Sequence, residues 1–541
     1  MKRIYLFGLA VLSGVLLCLP WQPWCTGFIA LIALVPLLFI EQHIRLNKEK
    51  NKPRTLFLYS YIAFLIWNLL STWWIYNSTA GGAIFAIIAN AFLTTVVFWL
   101  FHLAGRRLGQ TAGYIAFVCL WIAWEYFYLD AEITWPWLNL GNGFAKDIHI
   151  IQWYEITGSL GGTLWILIIN LMVFFLLQSL ISGKKITSTI ITSIGLVLLI
   201  TIPVSLSLIR FYSYTEKNNP CNVVVIQPNI DPYNDKFGGM PYEEQMKLML
   251  DLASSKADSS TDLIIGPETA LGNNIWINII NRHPTIRHLR QYTARFPHAH
   301  YITGLDLLWL YGSRDSITPT ARQISQNEWY DSYNSAVLID TSQIVQIYHK
   351  SKLVVGVEML PYPGLFKFLE NMAIDLGGPI GSRGTQDYRG VFYTTDSVVC
   401  VAPVICYESV FGEFVTGYIN NGANLIAVIT NDGWWGNTAG HKQHLSYSQL
   451  RAIETRRSIA RSANTGISAI INQRGEIVQR AEWWVPAALK ASINLNNQRT
   501  FYTRHGDFIG RIANFPAIIL LLLIIFYKPV LRLFPHKNNS R

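Results

Sequence analysis

Three short segments of this chain could do chemistry, and each follows a run of residues with the character of a buried strand. Glu268 lies in Gly266-Pro267-Glu268-Thr269-Ala270, directly after Asp262–Ile265, and the proline stiffens the turn that aims the carboxylate. Lys350 lies in Tyr348-His349-Lys350-Ser351-Lys352, and strand alternation would put Lys350 and Lys352 on one face. Cys406 ends the apolar run Val398–Ile405 and is followed by Tyr407-Glu408-Ser409. Read singly, each has a plain structural explanation: a solvated carboxylate, a charged strand edge, a buried structural thiol. Read together, they supply a base, a cation and a nucleophile. A thiol needs a base to become a thiolate, and attack on a carbonyl develops an oxyanion that a cation stabilises. No G-x-S-x-G elbow competes in this region.

The segments belong to an α/β stretch. Cys221–Gln227, Asp262–Ile265, Tyr301–Gly304, Ser335–Asp340, Val398–Ile405, Asn424–Thr430 and Ile467–Ile471 read as strands. Tyr242–Lys256 and His444–Ala463 read as helices. Open α/β sheets place their sites at strand ends, where all three candidates fall. The stretch holds Cys221, Cys400 and Cys406, an odd number with no CxxC pair, so pairing of Cys221 with Cys400 stays open. No metal-ligand spacing is present, and no metal or cofactor is expected.

The remainder of the chain must hold this region in place, and its composition is that of a membrane protein. Of 541 residues, 51% are hydrophobic and only 14% charged, with a mean hydropathy of +0.27. Eight apolar runs are long enough to span a bilayer: about 4–20, 24–40, 56–76, 82–104, 112–129, 161–182, 187–209 and 513–531. The net charge of +10 does not point to nucleic acid, because the polar middle, 210–511, carries 27 basic and 26 acidic residues. The excess lies in the membrane part. Loops on one side hold fifteen Lys and Arg, and the short loops on the other hold only Lys146. This bias predicts cytoplasmic termini and an external polar domain. Lys2-Arg3 followed by an apolar run resembles a signal peptide, but no small-residue cleavage site follows, so a retained first helix is expected. The loop 130–160, with Trp135-Pro136-Trp137-Leu138, reads as an aromatic belt or an interfacial segment. Glu125 is the main ionisable group within a span, too little for a transporter, and no inverted repeat is visible.

Glu268, Lys350 and Cys406 resemble the Glu-Lys-Cys triad of the carbon–nitrogen hydrolase (nitrilase) superfamily. With seven spans before the domain and one after, the whole chain resembles the bacterial apolipoprotein N-acyltransferase family. Further matches are Gln227-Pro228-Asn229-Ile230, Asn431-Asp432-Gly433-Trp434-Trp435-Gly436, His441 with Gln443-His444, Arg451-x-x-Glu454, Arg457, Arg461, Asn464-x-Gly466 and the Trp135–Leu138 loop. The resemblance implies a membrane bundle over 1–211, an α-β-β-α sandwich over 219–505 and an eighth span at 513–531. It implies transfer of an acyl chain from a membrane phospholipid to the α-amino group of the diacylglyceryl-cysteine at a lipoprotein N-terminus, in the bacterial inner membrane with the catalytic domain periplasmic. Cys406 would be the nucleophile, Glu268 the general base and Lys350 the oxyanion stabiliser, with Glu358, Tyr407 and Glu408 in support. A mobile-loop tryptophan of some members falls at Phe237, and Trp434 and Trp435 are the further substrate-binding candidates. The chain departs from the family at Lys352-Leu353-Val354-Val355-Gly356-Val357-Glu358, where a proline is missing and the glycine has moved. A membrane-tethered amidase using water would employ the same triad, but eight spans exceed what a tether needs.

Overall fold

The computed structural model describes residues 2–183, 186–236, 239–311, 317–362 and 382–533. Among these, seven helices are long and apolar enough to cross a membrane: Arg3–Trp21, Gly27–Leu46, Pro53–Asn77, Ala80–Arg107, Tyr154–Ile181, Ile186–Ser213 and Phe508–Tyr527. The expected span at 112–129 forms the 19-residue helix Gln110–Tyr128 but is not among the seven. Trp121, Trp124, Glu125, Tyr126 and Tyr128 fill its second half and lower its hydropathy. The count of eight is therefore approximate.

Buried polar side chains cross-link this bundle. Asn170 Nδ2 donates to the Ala30 carbonyl at 2.8 Å, and its Oδ1 accepts from the Leu34 amide at 2.8 Å. These bonds satisfy backbone groups where the second span breaks at Leu34. Glu125 has a similar task. Its carboxylate accepts from Trp121 Nε1 at 3.0 Å, the Leu140 amide at 2.8 Å and Thr163 Oγ at 2.6 Å. It thereby fixes the loop after Trp135, which folds into two buried 3₁₀ turns, Pro136–Leu138 and Leu140–Phe144. This loop is an interior structural element and not only an aromatic belt.

Fourteen strands among the described residues build two sheets. The first contains β1 (Pro220–Gln227), β2 (Leu263–Ile265), β3 (Leu271–Trp276), β4 (His300–Leu310), β5 (Arg322–Ser325), β6 (Glu328–Ile339) and β7 (Gln346–His349). The second contains β8 (Phe392–Tyr393), β9 (Cys400–Ile405), β10 (Leu425–Thr430), β11 (Ile459–Ala463), β12 (Ala469–Ile471) and β13 (Ile477–Arg480), and β14 (Ala487–Asn494) returns to pair with β1. Alternation divides the faces of the first sheet. Val224, Ile226, Ile264 and Tyr301 pack with Met246 and Met249 of the helix Tyr242–Ser254. Val223, Val225, Leu263 and Ile265 turn inward, into the core that includes β9 to β12. With the helices Gly412–Asn420 and Ala439–Thr455 against the second sheet, the layers run α-β-β-α.

One expected helix is corrected. His444–Ala463 does not run as one helix: it stops at Thr455, Arg456 takes the left-handed conformation at φ 51°, and 459–463 is β11. Arg456 is held there from outside the sandwich. Its Nε donates to Glu155 Oε2 and its Nη1 to Gln152 Oε1, both at 2.6 Å and both in the segment that opens the Tyr154–Ile181 span.

The helix Ala439–Thr455 is also the main seat of the sandwich on the bundle. Gln443 accepts from Trp137 Nε1 at 2.7 Å and donates to the Trp21 carbonyl at 2.9 Å, while Tyr447 OH donates to the Trp137 carbonyl at 2.6 Å. Asn77 and Ser78 donate to the carbonyls of Trp435 and Trp434. Replacing Gln443 by Leu leaves the Trp137 indole N–H and the Trp21 carbonyl unpaired in a buried junction. The expected cost is about 1–3 kcal/mol. Thermal unfolding of the full chain in detergent should begin earlier, and an unchanged midpoint would contradict this role for Gln443.

Candidate functional site

Glu268 is carried on a loop laid against β4. The Gly304 amide donates to the Pro267 carbonyl at 2.9 Å and the Ala270 amide to the Gly304 carbonyl at 3.0 Å. The approach is too close for a side chain, since a Cβ on Gly304 would fall 2.4 Å from the Thr269 amide nitrogen. Thr269 itself has φ 42°, uncommon for a β-branched residue. The turn thus carries local strain beside the carboxylate.

Lys350 follows β7, whose neighbour β6 supplies Asn334. The Lys350 amide donates to the Asn334 carbonyl at 2.8 Å. The strand ends at His349, so the expected shared face of Lys350 and Lys352 does not occur. Lys350 is 1% exposed and enters the interior, while Lys352 reaches across Phe411 to Asp130 in the bundle loop.

Cys406 is placed at the end of β9, where the chain turns from strand to 3₁₀ helix with Cys406 at φ 49°. Glu408 pins this turn. Its Oε2 accepts from the Ile405 amide at 2.9 Å, and its Oε1 accepts from the Ser351 amide at 2.7 Å and Tyr348 OH at 2.6 Å. One carboxylate therefore ties the Cys406 turn to the segment that carries Lys350. Burial pushes the Glu408 carboxyl up, against these donors.

The expected charges converge. Lys350 Nζ donates to Glu268 Oε1 at 3.0 Å and to Glu358 at 3.0 Å from Oε1 and 2.9 Å from Oε2. Asn334 Nδ2 donates to Oε1 of both glutamates at 2.8 Å. Burial alone would lower the Lys350 ammonium, but Glu268 and Glu358 outweigh it and hold it above the usual lysine range. Glu358 feels the reverse: burial opposes its charge, while Lys350 and Arg383 hold it below the usual carboxylate range. At the Cys406 thiol, burial is the largest influence and raises its pKa; Glu268 adds to this and Lys350 opposes it. The resting arrangement is therefore a protonated thiol beside a lysine ammonium.

A second buried set stands behind the cysteine. Asp432 accepts from Arg461 Nη2 and Thr430 Oγ and lies 2.8 Å from His444 Nδ1. His444 Nε2 lies 3.1 Å from the Cys406 carbonyl and 2.9 Å from Ser409 Oγ. Burial opposes the charge on Asp432, but Arg461 and His444 drive it far below the usual range. Cys406, Asp432 and His444 bring atoms of metal-ligating type within 4.8 Å of one another, with Asp432 already engaged by Arg461 and Thr430.

The supporting candidates divide. Glu358 joins the charge cluster and Glu408 holds the turn. Tyr407 reaches the bundle, where its OH donates to the Thr134 carbonyl at 3.0 Å and its ring stacks on Trp135. Trp435 packs on Trp74 and Trp137, and Trp434 on Tyr233. Phe237 lies outside the described residues, as does part of the chain after the altered segment 352–358. The six cysteines are free thiols, including Cys221 and Cys400. Sequence reading missed Asn334, because a lone asparagine in a strand carries no signal. It also gave no role to Asp432, His444 and Arg461, and it passed over Lys236, a buried lysine whose ammonium donates to Thr269 Oγ.

Residues 223–502 match the family model for carbon-nitrogen hydrolases, and residues 13–172 match the model for the N-terminal domain of apolipoprotein N-acyltransferases. An apolipoprotein N-acyltransferase of Chlorobaculum tepidum is 29% identical over 96% of this chain and 97% of its own length. Counterparts from Geobacter metallireducens (26% identical, 94% and 92%) and Thermotoga maritima (24% identical, 95% and 93%) align over nearly the same extent. The chain belongs to the carbon-nitrogen hydrolase family, in its apolipoprotein N-acyltransferase branch.

Proposed function

We propose that this chain N-acylates lipoproteins, taking a fatty acyl group from a membrane phospholipid and placing it on the α-amino group of an N-terminal diacylglyceryl-cysteine. The observation that carries the reading is the position of the thiol. Tyr407, its chain neighbour, is bonded to the Thr134 carbonyl of the bundle loop, so the nucleophile's turn rests directly on the membrane part. Both lipid substrates are bilayer-held, and a site built against the spans can meet them there. Hydrolysis of small amides would need no such placement. We assign residues 1–211 and 513–531 to the bundle and 219–505 to the catalytic domain. The loop charge bias supports placing that domain outside the bacterial inner membrane, with both termini cytoplasmic.

In this reading Glu268 takes the Cys406 proton as sulfur attacks the ester carbonyl. Lys350 stabilises the oxyanion, the ester C–O bond breaks, and the proton passes from Glu268 to the leaving lysophospholipid. A thioester remains. The lipoprotein amine then attacks it, Glu268 accepts the amine proton, Lys350 again stabilises the oxyanion, the C–S bond breaks and the thiol is restored. Glu358 and Asn334 position Lys350 and Glu268. Glu408 positions the turn of Cys406.

Mass spectrometry of a model lipoprotein N-terminus should show the third acyl chain in cells with this protein and its absence without it. Diacylated product in both would overturn the reading. The charge cluster gives a second expectation with opposed signs. Glu268→Gln removes the charge that pushes the thiol up, so the Cys406 pKa falls and its alkylation by iodoacetamide at alkaline pH becomes faster. The same variant loses the base, and acyl transfer should drop on the order of 100-fold or more. The measurement uses a variant with the other five cysteines replaced. Transfer unchanged in this variant would contradict Glu268 as the base, and slower alkylation would contradict its charge as a cause of the raised thiol pKa.

A further inference from the structure

A cavity of about 260 Å³ opens at the junction of bundle and sandwich, and Cys406 is not among its lining residues. Three cations line it from three separate elements: Lys146 from the bundle loop, Lys442 from the first turn of the helix Ala439–Thr455, and Arg480 from the end of β13. Most polar neighbours are already engaged. Gln443 serves the Trp137 junction, Gln449 donates to the Gly475 carbonyl at 2.7 Å and Asn142 to the Pro136 carbonyl at 3.0 Å. Lys146 spends one N–H on the Gln22 carbonyl. The adjacent carboxylate, Asp147, accepts from Thr26 Oγ at 2.8 Å and the Gly27 amide at 2.7 Å, and its charge also acts on Lys146, without a direct ion pair. Among the described residues, the Lys442 and Arg480 side chains make no hydrogen bond or ion pair with the protein. Lys442 and Arg480 are exposed and Lys146 is half-buried, so the three can turn toward an anion that enters the cavity.

The surroundings specify which anion. Pro20 and Trp21, which end the first span, and Pro23 line its bundle side, and Ala145, Leu445 and Ile467 add further apolar surface. The cavity therefore lies where a span leaves the apolar layer, the depth of lipid headgroups. Its volume equals about nine waters at roughly 30 Å³ each. That admits a phosphate with its glycerol and leaves the acyl chains outside, along the bundle. We propose that this cavity binds the phosphodiester of a membrane glycerophospholipid, with Lys442 and Arg480 as its principal donors and Lys146 as the third. A guanidinium pairs with phosphate oxygens bidentately, and an ammonium adds a point charge. The bound lipid bridges bundle and sandwich and is distinct from the lipid that meets Cys406. The site depends on the membrane placement of the chain and not on the acyl-transfer reading.

The test uses the full chain in nanodiscs of phosphatidylglycerol doped with phosphatidylglycerol bearing a diazirine on its headgroup, with labelled peptides mapped by mass spectrometry. Labelling should fall on the segments around Lys146 and Lys442, and Lys442→Gln with Arg480→Gln should reduce it about tenfold or more. A diacylglycerol probe with the same diazirine and no phosphate should not label them. The Cys406 alkylation rate, unchanged in the double variant, verifies that the sandwich remains folded. Three results would each overturn the proposal: labelling undiminished in the double variant, equal labelling by the phosphate-free probe, or loss of labelling when inorganic phosphate is added at the concentration of the lipid. The last would assign the cavity to a free anion.

Discussion

The site depends on one ammonium group shared between two buried carboxylates. Lys350 lies within 3.0 Å of both Glu268 and Glu358. Without it, two glutamates would face each other across Asn334 in the interior. Arg383 would still oppose their charge, but like carboxylates so placed favour protonation of one of them. Removing one partner from a buried ion cluster typically costs about 3–5 kcal/mol. The lysine is thus a structural requirement as well as the oxyanion stabiliser proposed here. Asn334 adds what charge alone does not: its single amide group spans both carboxylates and fixes their separation.

The rest of the sandwich brings three chain turns to that ammonium. The Glu268 loop needs the bare backbone of Gly304 beneath it, and the Cys406 turn needs a left-handed cysteine. Such conformations persist where neighbours over-determine them. Here Glu408 grips the cysteine turn from one side and the Asp432–His444–Arg461 set supports it from the other. The same turn continues into Tyr407, which reaches the bundle. Rigidity at the thiol and docking on the membrane part are therefore achieved by consecutive residues.

Much of this was legible in the sequence because strand ends announce themselves. The apolar runs before Glu268 and Cys406 became β2 and β9, with both residues just beyond them. What was not legible depended on distant partners. Lys350 and Lys352 alternate on paper, but β7 stops at His349 and Asp130 of the bundle draws Lys352 away. The helix expected to reach Ala463 ends early because Glu155 and Gln152, some 300 residues earlier in the chain, hold Arg456 in a left-handed cap. Asn334 looked like any polar strand residue. The span at 112–129 is helical, and its Glu125 turns inward to hold the buried loop at 135–144.

The central claim is that Cys406 carries the acyl group between donor and acceptor. The most direct test is to incubate the full-length protein with phospholipid alone, quench, and weigh it intact. One hydroxylamine-sensitive acyl group should appear on Cys406, with lysophospholipid released in equal amount before any lipoprotein is added. Release of lysophospholipid only when the acceptor is present, with no thioester even transiently, would contradict the claim and require direct transfer between the two lipids.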